Sequence, residues 1–208
     1  MGEVSNKFEE GNLVNPENLI EIRWHGRGGQ GAVTSAEILA EAAISEGNYA
    51  QAFPSFGPER RGAPVQAFVR ISAGQPIRIR SSITNPDIVV VLDPGLLRAV
   101  NVASGLKPGG VLIINTIKTS AQIHQEFNIQ ARLATVGGTK IALEQLGVPI
   151  TNTTMIGAVM KVAEVVKMDS LIPPINKRFG RLAEKNVSAL KRAYAETIIE
   201  ESAVGNVK

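Results

Sequence analysis

The chain has 208 residues, 44% apolar and 20% charged, so it is long enough for one sizeable core and too rich in Val, Ile and Leu to stay disordered. It has no cysteine, which excludes disulfides, thiolate nucleophiles and the usual iron–sulfur ligands, and only His25 and His124 as histidines, which argues against a multi-histidine metal site but leaves a carboxylate-only magnesium site open. A net charge of +3 with scattered basic residues gives no concentrated face for nucleic acid, no apolar run nears the ~18 residues that cross a bilayer, and the first residues lack a signal core, so a cytoplasmic protein without nucleic-acid or membrane partners is expected.

Residues 1–18 are polar and without period, and are expected to form a flexible leader or an arm for a partner. Leu19 to Trp24 alternates as a strand does, and an Ala-rich run from Gln30 to Glu46 carries one apolar face for a helix. A short strand is expected over Asn48 to Phe53. Val65 to Ile71 alternates as well, and the turn Ala73-Gly74-Gln75-Pro76 suggests a hairpin with Ile77 to Arg80. Asp87 to Asp93 and Val111 to Asn115 are apolar without alternation, as strands buried on both faces are. A helix should start near Pro94 between them. A strand near Ile129 to Ala134 and a helix from Gly138 to Leu146 continue the winding. Beyond Pro149 no further strand is expected. Thr151 to Val166 is predicted to be a buried helix, and Arg181 to Glu201 an amphipathic one with Leu182, Val187, Leu190, Tyr194 and Ile198 on its stripe. The pattern describes an α/β fold: a mostly parallel sheet with flanking helices, a β-hairpin and a helical C-terminal segment, one domain over residues 19–208.

Two loops carry the candidate chemistry. Gly26-Arg27-Gly28-Gly29-Gln30-Gly31 follows a strand and opens a helix, the context of the dinucleotide-binding pattern, with Gly26, Gly28, Gly29 and Gly31 permitting the turn and a close backbone approach. The acidic residue that should follow about 20 positions later is missing, because that stretch reads Tyr49-Ala50-Gln51-Ala52-Phe53. This disfavours NAD. Close packing of strand on helix remains open, as does a turn that receives another anion or faces a partner's active site, with Gln30 offering donor and acceptor groups. Ser55 to Pro64 sets Glu59, Arg60, Arg61 and Gly62 among prolines and glycines, a rigid turn that presents charge. Both loops are expected beyond the first two strands, Leu19 to Trp24 and Asn48 to Phe53, of one parallel sheet, where α/β folds place sites. His25, Trp24, Phe53 and Phe56 are expected to be packing residues, and Asp93 the cap of the helix near Pro94.

The segments Gly26 to Val33 and Phe53-Pro54-Ser55-Phe56-Gly57-Pro58-Glu59-Arg60-Arg61-Gly62-Ala63-Pro64-Val65, in that order and at that distance, resemble the gamma subunit of pyruvate:ferredoxin oxidoreductases. Asp87 to Asp93 and Pro149 to Ala158 look like later landmarks of the same family, so the resemblance runs from about Ile20 to Arg192. It implies a four-part enzyme in which alpha, beta and delta subunits accompany this chain and electrons leave through ferredoxin. Thiamine diphosphate, magnesium, iron–sulfur clusters and coenzyme A are then expected on or with the partner subunits and none on this chain alone. The reaction implied is the coenzyme A-dependent oxidative decarboxylation of pyruvate to acetyl-CoA. Branched-chain 2-oxoacids are the alternative substrates. Within that reading Gln30, Glu59, Arg60 and Arg61 face a subunit interface near the shared cleft, where an arginine fork can pair with a partner carboxylate or a coenzyme A phosphate. A purely structural scaffold and a free-standing nucleotide-dependent oxidoreductase are the competing readings.

Overall fold

The computed structural model describes residues 19–55 and 62–200. The leader over residues 1–18, together with Phe56, Glu59, Arg60 and Arg61, lies outside the described residues. Seven strands form one sheet in the order β2-β3-β1-β4-β5-β6-β7. They are β1 (Leu19–Arg27), β2 (Tyr49–Pro54), β3 (Pro64–Ser72), β4 (Ile88–Val91), β5 (Val111–Asn115), β6 (Arg132–Val136) and β7 (Ile198–Ile199). The middle of the sheet is parallel, β1 to β4 to β5 to β6, as the unbroken apolar runs of β4 and β5 require. Both wings are antiparallel.

Strand alternation divides the wing formed by β1, β2 and β3 into two chemically different faces. Ile22 and Trp24 of β1 enter the larger core with Ala67, Val69 and Ile71 of β3. Over this face lie α1 (Ala32–Ser45), α5 (Asn152–Val162), α6 (Ile172–Phe179) and α7 (Ala183–Glu196), with α4 (Gly138–Leu146) beside them. On the other face, Val89, Val91, Leu112, Ile114 and Leu133 form a second core with Leu96 of α2 (Leu96–Ala99) and Ile123 of α3 (Ser120–Phe127). The same face of the wing carries Glu21, Arg23, Arg70 and Gln51. Three of them donate to carbonyl groups of the segment that crosses it: Gln51 Nε2 to Ile77 O at 3.0 Å, Arg70 Nη1 to Ile79 O at 3.4 Å, and Arg23 Nη1 to Ile83 O at 3.4 Å, while Glu21 pairs with Arg70.

That segment corrects the expected hairpin. Ile77 to Arg80 forms no strand, because both edges of β3 are already occupied, one by β1 and the other by β2. The hairpin is β2 with β3. The strands also do not stop at Pro149: β7 pairs with β6 after the last helix. α7 ends at Glu196, short of the expected Glu201, and is preceded by α6, which lies before the expected start at Arg181 and was not expected. Its buried residues are Ala183, Asn186, Ala189, Leu190 and Ala193, whereas Leu182, Tyr194 and Ile198 are exposed. Leu190 and Val187 of the expected stripe do meet the core. A Cβ on Gly157 of α5 would lie 2.1 Å from Leu190 O, so the two helix backbones touch and the small residues Ala189 and Ala193 are buried beside Leu190 in α7.

Candidate functional site

All four parallel strands end at one sheet edge, and the antiparallel register brings the β2–β3 connection to the same place: Arg27 at the end of β1 stands opposite Pro64 at the start of β3. The two loops therefore meet at one edge, although β2 and β1 are not neighbours but are separated by β3. Gly28 N–H donates to Ala63 O at 3.1 Å, and Arg27 Nη1 donates to Gly62 O at 3.1 Å. Ser55 extends the hairpin ladder by donating its N–H to Gln66 O at 2.9 Å.

The glycine turn is locked from inside. Gly29 and Gly31 have φ of 94° and 84°, in the left-handed region that glycine adopts freely. Gln30 N–H donates to Arg27 O at 3.0 Å and Gln30 Oε1 accepts Arg27 N–H at 2.7 Å, while Gln30 Nε2 reaches Asp93 Oδ2 at 3.3 Å. The Gln30 amide is thus engaged within the turn itself. Asp93, just after β4, joins the pieces: Arg27 Nε donates to its Oδ2 at 2.6 Å and Gly95 N–H to its Oδ1 at 2.8 Å. Asp93 does serve the start of the α2 segment, and it also holds the arginine that holds the second loop.

Of the residues expected at the site, Gly26, Gly28, Gly29, Gln30 and Gly31 form the turn, and Ser55 and Gly62 flank the second loop at its base. Glu59, Arg60 and Arg61 lie outside the described residues. Sequence reasoning missed Arg27, which sits at a variable position of the glycine pattern, and gave Asp93 only a capping role, although an acid ending a buried strand next to β1 was a usable signal. It also missed Asn152, the first residue of α5, which lies against Gly31 with no sequence pattern to link the two. The topology gives a second reason against a dinucleotide: β1 has β3 and β4 as neighbours, so the end of β2 cannot stand beside the glycine turn where the ribose acid would be needed.

His25 is buried and packs as expected. Its Nε2 accepts from Arg23 Nε at 3.0 Å, and burial, reinforced by the Arg23 charge, lowers its pKa to about 4. It is a neutral acceptor that helps seat a buried guanidinium. Trp24 is fully buried, and Phe53 lies against Phe68 with ring centroids 5.2 Å apart and Arg70 above it. A groove of about 840 Å³ lies at the opposite edge of the sheet, beside Arg98, Lys107 and Arg132, where Lys107 is paired with Asp87 and Arg98 with Glu126. It is remote from the paired loops. Among the described residues no three His, Asp or Glu side chains are grouped to hold a metal ion, and no helix is long and apolar enough to cross a membrane.

A mixed α/β domain whose glycine turn is tied to a second loop at the parallel edge is the class defined by this fold and site. The chain belongs to the pyruvate ferredoxin/flavodoxin oxidoreductase family, whose model matches residues 21–196. It is 55% identical to the pyruvate/ketoisovalerate oxidoreductases common subunit gamma of Thermococcus litoralis over 88% of this chain and 100% of that protein. It is 54% identical to the pyruvate synthase subunit PorC of Methanothermobacter marburgensis over 85% of this chain and 96% of that one. Among solved structures, the pyruvate oxidoreductase subunit PORC of Thermotoga maritima superposes with a TM-score of 0.79 at 38% identity, covering 88% of this chain and 99% of that chain.

Proposed function

We propose that the chain is the gamma subunit of a multisubunit pyruvate:ferredoxin oxidoreductase, which oxidatively decarboxylates pyruvate to acetyl-CoA and passes the electrons to ferredoxin. The observation that carries this reading is the 55% identity to a common gamma subunit along that protein's whole length. Its partners are alpha, beta and delta subunits. The absence of cysteine from all 208 residues does not fit a cluster-binding subunit, so iron–sulfur clusters belong to those partners. Thiamine diphosphate supplies the carbanion chemistry of such an enzyme, and no step through it is assigned to this chain. What this chain contributes is shape: a rigid edge where two loops are presented together, with Glu59, Arg60 and Arg61 carried on the second.

The experiment is co-expression with the three partner chains. Pyruvate- and coenzyme A-dependent ferredoxin reduction should require this subunit, and the subunit alone should show none. Alanine at Arg60 or Arg61 should weaken assembly or coenzyme A affinity; wild-type assembly, affinity and turnover in both variants would remove those residues from the site. A second substrate class has specific support, since the Thermococcus relative is named for both pyruvate and ketoisovalerate. The same subunit paired with a different catalytic chain would then turn over a branched-chain 2-oxoacid.

A further inference from the structure

The groove of about 840 Å³ at the edge where the parallel strands begin has an unbalanced lining. Arg98, Lys107 and Arg132 stand around it, and no aspartate or glutamate lines it. Two of the three cations are answered by carboxylates, Arg98 by Glu126 and Lys107 by Asp87. Arg132 has no carboxylate partner among the described residues; its Nε donates to the Glu200 carbonyl at 3.2 Å. Between the cations the surface is apolar, with Leu97, Leu106, Phe127 and Ile129 only partly buried against the smaller core. The Arg98 guanidinium lies 5.6 Å from the centroid of the Phe127 ring, which holds charge and apolar surface side by side.

Residues 1–18 join the described fold beside this groove. β1 begins at Leu19, and because it runs parallel to β4, β5 and β6 its start lies at the edge where Gly110 and Arg132 of the groove meet the starts of β5 and β6. The link is direct: Glu21 Oε2, two residues into β1, lies 3.6 Å from Nζ of the groove's Lys107. Strands are about 4.8 Å apart, which puts the starts of β5 and β6 about 12 Å from β1, and residues 15–18 alone span about 13 Å when extended. The stretch before them complements the groove. Residues 1–18 carry Glu3, Glu9, Glu10 and Glu17 against Lys7, and residues 8–14 set the paired acids Glu9 and Glu10 among Phe8, Leu13 and Val14. Residues 201–208, which follow Glu200 at the same edge, carry one acid, Glu201, and one base, Lys208, and match the groove less well.

We propose that residues 8–14 of the same chain occupy this groove, with Glu9 and Glu10 answering Arg132 and Arg98 and the apolar side chains covering the surface between them. A tether this short holds the segment at an effective concentration in the millimolar range, so a contact that would be weak between separate molecules stays populated within one. The start of the chain then forms a clasp over the edge where the parallel strands begin, and leaves the paired loops at the opposite edge uncovered. The inference does not depend on which enzyme the chain serves.

Hydrogen exchange of the full-length chain, read by mass spectrometry, tests this. At low salt the amides of residues 8–14 should exchange about tenfold or more slowly than those of an unstructured chain. The protection should fall in about 1 M salt, where charges a few ångströms apart are screened. Glu9→Gln combined with Glu10→Gln, changes outside the described residues, should reduce it several-fold, and Arg132→Glu should do the same. Adding Glu9→Arg and Glu10→Arg to the Arg132→Glu chain should restore part of the protection, a recovery that damage to β6 could not produce. Exchange of residues 8–14 at the unstructured rate overturns the proposal, as does protection indifferent to these charges. Protection found on residues 201–208 in place of 8–14 would make the other end of the chain the occupant, and protection that grows with protein concentration would make it a second copy; either result also overturns the proposal.

Discussion

Arg27 does more than any other side chain at the candidate site to join separate parts of the chain, and it does so through ordinary geometry. It stands at the last position of β1, so its guanidinium reaches both Asp93 after β4 and Gly62 before β3. The pair is partly solvated, so Asp93→Asn should cost well under about 1 kcal/mol of stability. It should nevertheless speed hydrogen exchange at Gly28 N–H, whose bond to Ala63 O depends on the two loops staying together. The two histidines should impose opposite pH dependences. For His25 the folded pKa is about 4, depressed by burial and by Arg23, against about 6.5 unfolded. Its contribution is therefore present above the unfolded value and lost as pH falls through the folded one. His124 is raised by the Glu200 carboxylate and then by the Ile129 carbonyl, so its contribution is present below about 6.5 and lost as pH rises through the raised value. Denaturant titrations from acid to mildly alkaline pH should show His124→Gln flattening the alkaline limb and leaving the acid limb to His25.

The elements depend on buried polar side chains as much as on apolar ones. Arg23 is nearly enclosed, and its guanidinium donates to Val102 O at 3.0 Å and Ser104 O at 2.5 Å as well as to the segment crossing the wing. Those carbonyls replace water around the charge. Arg23→Met should remove the fastening and leave several carbonyls unpaired, at about 3 kcal/mol measured by chemical denaturation. The contact of α5 with α7 is a second sensitive point. Gly157→Ala would force the helices apart against Leu190 O and should destabilise the chain by about 3 kcal/mol or more, although alanine is the better helix former. A change that raises propensity and lowers stability would show that backbone contact governs this position.

At the scale of the whole molecule, one sheet turns different surfaces to different tasks. Four helices pack one face into a large core, short helices and a strapped segment close the other, and the edge where the parallel strands end is left to the loops. On the proposed function, that edge is what a subunit without cysteine offers to neighbours that carry the redox groups. Reconstituted complexes lacking this chain should lose ferredoxin reduction, and restoring it should recover activity without adding any iron, checked by metal analysis of the separate subunit.

The sequence by itself determined the α/β class, the buried central strands and the glycine turn, because hydrophobic period and backbone permissiveness are local properties that a short window contains. It also carried the family, through Gly26 to Val33 and Phe53 to Val65 in fixed order. It misplaced the hairpin, since Ile77 to Arg80 alternates as well as many strands do and nothing local reveals that β3 has no free edge. It extended the apolar stripe of α7 to Leu182, Tyr194 and Ile198, which are exposed, because the closeness of α5 is set by Gly157, far away in sequence. The tertiary structure alone decided that Arg27, Asp93 and Gly62 form one fastening and that Asn152 meets Gly31. Those contacts join segments widely separated along the chain, and only the assembled sheet and the helices packed on it bring them together.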